Sequence, residues 1–241
     1  MTTPGPLIGS GRSADIYAAG PHRVVRRRRS GSIPGAEPAV MRAVGSHGFP
    51  VPAVYSVDGA DMTMDRVDGV ELLSLLSKRP WKARNIGRML AGLHLQLAAI
   101  PLGDIDVPTK FGAREVFVHG DLHPGNVLLT DHGPIVIDWE GAGVGAADAD
   151  SATTWMLLAT GDADNVPRLV RPLVGMIRKT VLQAFLKGVP QPRPETIAAV
   201  CDARLQDKNM RPRELDRIRA FKNEHTTGLS SASALPESPG G

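Results

Sequence analysis

The sequence predicts an α+β fold in two unequal parts, a small β-rich N-terminal part and a larger, mainly helical C-terminal part. Residues 7–29 alternate short apolar runs with turn signals, Gly9-Ser10-Gly11 and Gly20-Pro21, as strands do in a meander. Near residue 68 the apolar spacing changes to a helical period, clearest over 82–99, where Ile86, Met89, Leu90, Leu93 and Leu97 share one stripe. With 241 residues, 42% of them hydrophobic and 22% charged, the chain can bury a sizeable core and is too apolar to stay disordered.

In chain order, three strands over 7–29 are followed by a helix over 36–47, with Ala39, Val40, Ala43 and Val44 at helical spacing and Pro38 where a first turn tolerates it. Strands are expected at 53–57 and 62–66 around Asp58-Gly59, and the lobe boundary falls near residue 68. Further strands are expected at 116–118, 127–129 and 135–137, and helices at 150–160, 166–187, 194–206 and 212–222. Ser, Pro and Gly dominate 226–241, which reads as a disordered tail. The predicted units are therefore 1–67, 68–225 and that tail.

A formal charge of +3 does not mark a nucleic-acid binder, and no aromatic residues interleave the basic run Arg26 to Arg29. A single cysteine, Cys201, makes no internal disulfide and fits a reducing compartment. No stretch of about 18 apolar residues and no signal-like N-terminus is present, so a cytoplasmic chain without membrane or nucleic-acid partners is expected.

The most informative stretch is Val118-His119-Gly120-Asp121-Leu122-His123-Pro124-Gly125-Asn126, followed by Ile135-Val136-Ile137-Asp138-Trp139-Glu140. Asp121 and Asn126 flank a Pro-Gly turn between apolar strands, and Asp138 ends the next strand, so three oxygen-bearing side chains can meet at one cleft. Asn126 and Asp138 offer the hard oxygens that suit Mg²⁺, which binds through few protein ligands plus waters and phosphates. Asp121 is then free to orient a hydroxyl and accept its proton. Ahead of these, Ile8-Gly9-Ser10-Gly11-Arg12-Ser13-Ala14 places glycines between strands, where backbone N–H groups can cradle phosphates. His119 and His123 lack the partners of a zinc site. Glu140 reads as a solvated loop acid, and Arg27 to Arg29 as a solvated basic edge.

The string HGDLHPGN with IDWE after it keeps the four-residue gap of the protein-kinase catalytic loop. It resembles the aminoglycoside phosphotransferase and choline kinase-like family, in which Gly replaces the kinase Arg. The resemblance implies a bilobal protein-kinase-like fold and transfer of a phosphoryl group from ATP or GTP, with Mg²⁺, to a hydroxyl of a small molecule, an antibiotic such as an aminoglycoside among the candidates. It also implies Asp121 as base, Asn126 and Asp138 as metal ligands, and Gly9, Ser10, Gly11 and Ser13 over the phosphates. The family's strand Lys is missing; Arg26 takes its place, with Glu37 as partner, and an Arg clamps phosphate differently from a Lys. That substitution keeps open a catalytically weak or inactive nucleotide-binding protein. Met64, Asp65 and Val67 match the family's hinge, with Met64 either lining the nucleotide pocket or ordinary core. Asp150 caps a helix and, by the resemblance, braces the catalytic loop, with Asp148 as competitor for that place. Acceptor identity stays open among antibiotic, choline-like amine, amino alcohol and sugar; Glu140, Asp162, Asp164 and Glu214 are the acids that could meet a cationic one.

Overall fold

The structure, a computed structural model, describes residues 5–11, 13–161, 166–207 and 210–227. Strands β1 (Leu7–Ser10), β2 (Ala14–Ala18), β3 (Arg23–Arg28), β4 (Val54–Asp58) and β5 (Asp61–Asp65) form one antiparallel sheet in the order β1-β2-β3-β5-β4. Helix α1 (Ala36–Ser46) turns Glu37, Val40, Met41 and Val44 inward, the i, i+3, i+4, i+7 stripe of an amphipathic helix. Period-two alternation sorts the arginines of β3: Val24 and Arg26 line the cleft beneath the sheet, while Arg27 pairs with Asp61 in the open.

Strand β6 (Val70–Glu71) leaves this sheet and pairs instead with β8 (Val127–Thr130), which pairs with β9 (Gly133–Val136). A second small sheet joins β7 (Val116–Val118) to β10 (Gly143–Gly145). The helical stretch after residue 70 is broken into α2 (Leu72–Lys78) and α3 (Ala83–Ala98) because Pro80 cannot continue a helix and opens a 3₁₀ turn. The α3 stripe of Ile86, Leu90, Leu93 and Leu97 is buried. It packs on α5 (Arg171–Leu186) so closely that a Cβ at Gly87 would collide with the Val181 carbonyl. Helices α4 (Ala149–Thr160), α6 (Pro194–Leu205) and α7 (Pro212–Thr226) enclose a separate cluster of Met156, Val200, Cys201, Ile218 and Phe221. Burial pushes the Cys201 thiol up to about 11, so it behaves as a small apolar side chain. Helix α7 runs four residues past the expected end at 222 and one past the boundary at 225; residues 228–241, the rest of the expected tail, lie outside the described residues.

One polar link inside the main core has a measurable consequence. His94, buried on α3, donates from Nδ1 to the Leu90 carbonyl (2.8 Å) and faces the Thr154 hydroxyl with Nε2 (2.9 Å). Burial lowers its pKa from 6.5 to about 4, so the unfolded chain takes up the proton first. Its share of stability is complete above pH 6.5 and is lost as pH falls through 4. Between pH 7 and 4.5 the unfolding free energy of the parent should fall by about 2 to 3 kcal/mol more than that of His94→Gln, measured in urea. Parallel pH curves for the two proteins would remove His94 as the cause.

Candidate active site

β7 delivers His119-Gly120-Asp121 to the cleft. Gly120 has φ +80°, and a Cβ there would meet the Gly141 carbonyl at 2.7 Å, so at this turn only glycine fits. The Asp150 carboxylate, in the first turn of α4, accepts the backbone N–H groups of His119 (2.7 Å) and Gly120 (2.8 Å) and braces the loop. Asp148 is spent elsewhere, on Arg193 (2.8 Å) and Thr196 (3.0 Å). The buried His119 ring donates from Nε2 to the Ile137 carbonyl (3.0 Å) and accepts the Asp121 N–H on Nδ1 (3.2 Å). Burial pushes its pKa down, keeping it neutral and structural.

Asp121 is thereby fixed at the loop's tip. Asn126 Nδ2 donates to the Asp121 carbonyl (2.8 Å) and to its Oδ2 (3.3 Å), and His123 Nε2 stands 3.6 Å from the same oxygen. Burial works to raise the Asp121 carboxyl, but the hydrogen-bonding His123 and the Arg204 guanidinium outweigh it and hold the group below the usual carboxylate value. It is a carboxylate at neutral pH, ready to accept a proton. Its Oδ1 is buried with no hydrogen-bond partner.

The amide oxygen of Asn126 is left open by these bonds, and the Ile137 N–H to Asn126 carbonyl bond (2.9 Å) ties the end of β9 to the start of β8. Strand β9 stops at Val136, one residue short of the expected end at Ile137. Asp138 instead adopts a left-handed conformation, φ 63° and ψ 64°, rare for a non-glycine residue, and its half-exposed carboxylate lies 3.9 Å from Arg26. The next residue, Trp139, explains how this persists. It is fully buried, donates from Nε1 to the Val136 carbonyl (3.0 Å), and packs edge-on against Phe49 and tilted on His119. Among the described residues no three His, Cys, Asp or Glu side chains cluster as a metal cage. An open amide oxygen and a loosely held carboxylate on tied strand ends fit Mg²⁺, which keeps several waters and takes phosphate oxygens as its remaining ligands.

The arginine that stands where a lysine was expected reaches all of this. Arg26, 6% exposed, binds Glu37 (3.0 and 3.2 Å) and extends Nη2 toward Asp138 (3.9 Å) and Glu140 (3.6 Å). Burial pushes the Glu37 carboxyl up against the pull of Arg26.

A cleft of about 460 Å³ lies between the sheet and this machinery, with Ile8, Ile16 and Val24 above and Leu128 and Ile137 below. Met64, Asp65 and Val67 line its rim, and Gly11, Ser13, Arg26 and Asp138 its inner end. Ile8, Ile16, Val24 and Leu128 are each one residue of an ordinary strand, so nothing in the sequence pattern marks them as walls of one cleft. Within the hinge, Asp65 turns its N–H to the Ala53 carbonyl and its carboxylate to Tyr55 and the Ala53 N–H. Gly9 and Ser10 do not line the cleft: the Ser10 hydroxyl donates to Asp15 (2.7 Å) in the open, beside Arg29.

Glu140 is not the solvated acid its loop position suggested. Its carboxylate accepts the Ser13 hydroxyl (2.7 Å) from the glycine loop and two Arg28 N–H groups (2.6 and 3.1 Å), clasping the two lobes. Arg28 therefore leaves the basic edge to Arg27 and Arg29. A second cavity, about 560 Å³, opens beside His123 and Pro124 between α2, α4 and α5, with Leu73, Leu76, Leu158, Val174 and Ile177 on its walls.

The fold is that of protein-kinase-like phosphotransferases, α+β and bilobal. The aminoglycoside phosphotransferase APH(4)-Ia superposes with a TM-score of 0.62 at 15% identity, over 95% of this chain and 94% of that one. The amicoumacin kinase hAmiN, solved with AMP-PNP, Ca²⁺ and Ami, gives 0.52 at 12% identity, over 92% and 87%. The macrolide 2′-phosphotransferase MphH of Brachybacterium faecium gives 0.51 at 15%, over 95% and 91%. A sequence model of the phosphotransferase enzyme family (APH) matches residues 106–193, the stretch that holds Asp121, Asn126, Asp138 and Asp150. The resemblance read from HGDLHPGN and IDWE is borne out, and the match together with the kinase fold supports a small-molecule phosphotransferase. No curated protein sequence matches the chain.

Proposed function

We propose that the chain is an ATP- or GTP-dependent O-kinase of a small-molecule hydroxyl, with residues 1–67 as the nucleotide lobe and 68–225 as the catalytic and acceptor lobe. The observation that carries this is the Asp121 carboxylate, whose Oδ1 has no hydrogen-bond partner, held by Asn126 next to a cleft that Asp138 lines and that is sized for a nucleotide. The base would lie between the apolar walls, against the backbone of Val67 and beside Met64. Gly11 and Ser13 cover the phosphates with Gly9 and Ser10 shaping the loop, and Arg26, aimed by Glu37, anchors them. Asn126 and Asp138 would hold Mg²⁺, which supplies charge neutralisation on the phosphate oxygens when bound. Asp121 Oδ1 accepts the acceptor's hydroxyl proton as the new O–P bond forms and the bond from the γ-phosphorus to the bridging oxygen breaks, releasing nucleoside diphosphate. Glu140 must yield Ser13 and Arg28 for these groups to meet phosphate.

The acceptor would approach through the cavity at His123 and Pro124; antibiotics, which similar structures name as ligands, are one class to try. The residues described contain no helix long and apolar enough to cross a membrane. A cytoplasmic location without nucleic-acid or membrane partners belongs to this proposal. One observation favours a second reading, a nucleotide-binding protein without turnover: Ser13, Arg26 and Arg28 already converge on the Glu140 carboxylate.

Calorimetric titration of ATP and of GTP, with and without Mg²⁺, tests the site. Binding should require Mg²⁺, and Asp138→Ala should weaken it at least about tenfold, since a metal ligand is removed. Equal affinity with and without the metal, or in the variant, would refute the metal role of Asp138.

A further inference from the structure

The helices after Asp150 bring a cation, not an acid, to the catalytic carboxylate. Arg204, in the last turn of α6, places Nη1 3.8 Å from Asp121 Oδ1, too far for a hydrogen bond. Asp121 Oδ1 and Arg204 Nε are the two buried side-chain polar atoms, among the described residues, that have no hydrogen-bond partner. One is an acceptor and the other a donor, and they belong to side chains that meet each other. Leaving such groups dry and unpaired costs free energy, and the pair is satisfied by a molecule that supplies a hydroxyl to the carboxylate and an oxygen to the guanidinium.

Of the acids that could meet a cationic acceptor, the two that lie among the described residues, Glu140 and Glu214, are occupied. Glu140 is held by Ser13 and Arg28, and Glu214 accepts the Arg211 N–H (2.9 Å) in the capping box of α7. Asp148 is held by Arg193, and Asp202 by Lys222 (2.6 Å). Asp162 and Asp164 lie outside the described residues.

We infer that the acceptor is a hydroxy acid, a molecule with a carboxylate close to the hydroxyl it offers to Asp121, and that Arg204 binds that carboxylate. A guanidinium suits the task because its fixed fork of N–H donors matches a carboxylate and keeps its charge at every working pH. The inference rests on the kinase reading and deepens it by naming the acceptor class.

The test uses the full chain with Mg²⁺-ATP and three kinds of probe: glycerate and gluconate as hydroxy acids, glycerol and glucose as their uncharged counterparts, and kanamycin and choline as cations. Nucleoside diphosphate release is followed for the parent, Arg204→Met and Arg204→Lys, with nucleotide affinity measured on each by calorimetry. The hydroxy acids should be preferred, Arg204→Met should raise their KM roughly 10- to 100-fold, as expected for loss of a charge-assisted hydrogen bond, and Arg204→Lys should recover part of it. A scaffolding role alone would lower kcat for every acceptor alike and would not discriminate by charge. Nucleotide binding with turnover of cations in preference to hydroxy acids, or an unchanged KM in Arg204→Met, overturns the inference and leaves the kinase reading standing. Absence of Mg²⁺-nucleotide binding overturns the kinase reading and this inference with it.

Discussion

Asp121→Asn should lower turnover by roughly 10²- to 10⁴-fold while leaving Mg²⁺-nucleotide affinity nearly intact. The amide matches the carboxylate in shape, so the hydrogen bond network of Asn126 around the Asp121 carbonyl survives, but it cannot take up a proton. The parent carboxyl is held below its ordinary value, and so ionised at neutral pH, because His123 and Arg204 outweigh its burial. The loss should therefore fall on kcat, the signature of an interaction made in the transition state, and not on nucleotide binding. Single-turnover phosphoryl transfer and calorimetry on the same preparation separate the two. A variant that retains full turnover would show that another group accepts the proton, and Asp121 would lose its role.

Much of this site was legible because its parts are local in sequence. Asp121 and Asn126 are five residues apart across a Pro-Gly turn, and their hydrogen bonds follow from that spacing. The stripe of α3 and the meander of β1 to β3 were likewise written in periods of 3.6 and 2. The contacts that escaped the reading join distant positions. Nothing around Gly120 announces that Gly141 will press against it, and nothing around Glu140 announces Ser13 and Arg28, more than a hundred residues earlier. The same holds for Arg204, which sits in the last turn of an ordinary helix. The early end of β9 has a local cause that is visible only in three dimensions: Trp139 is buried in the core, and the chain at Asp138 turns left-handed just before it. Local sequence sets where the acids fall and the tertiary fold sets what pairs them, so Glu140, a loop acid by its neighbours, is held by Ser13 and Arg28.

The Arg26–Glu37 pair carries the second large effect, because both side chains are removed from water. Glu37→Ala would leave the guanidinium of Arg26 with only Asp138 at 3.9 Å and Glu140 at 3.6 Å, contacts too long to replace a hydrogen-bonded carboxylate. Breaking one half of a buried pair typically costs about 3 to 5 kcal/mol, so urea denaturation should show a loss of that order. Replacing both members together, Arg26→Met with Glu37→Leu, should restore most of the stability, since the costly element in the single variant is the uncompensated charge and not the missing attraction. The double variant should nonetheless fail to bind Mg²⁺-nucleotide, because no cation remains at the inner end of the cleft to meet the phosphates. Recovery of folding without recovery of binding would assign the pair to function, with its structural role reduced to mutual neutralisation. Recovery of both would mean that Arg28, freed from Glu140, anchors the phosphates in place of Arg26.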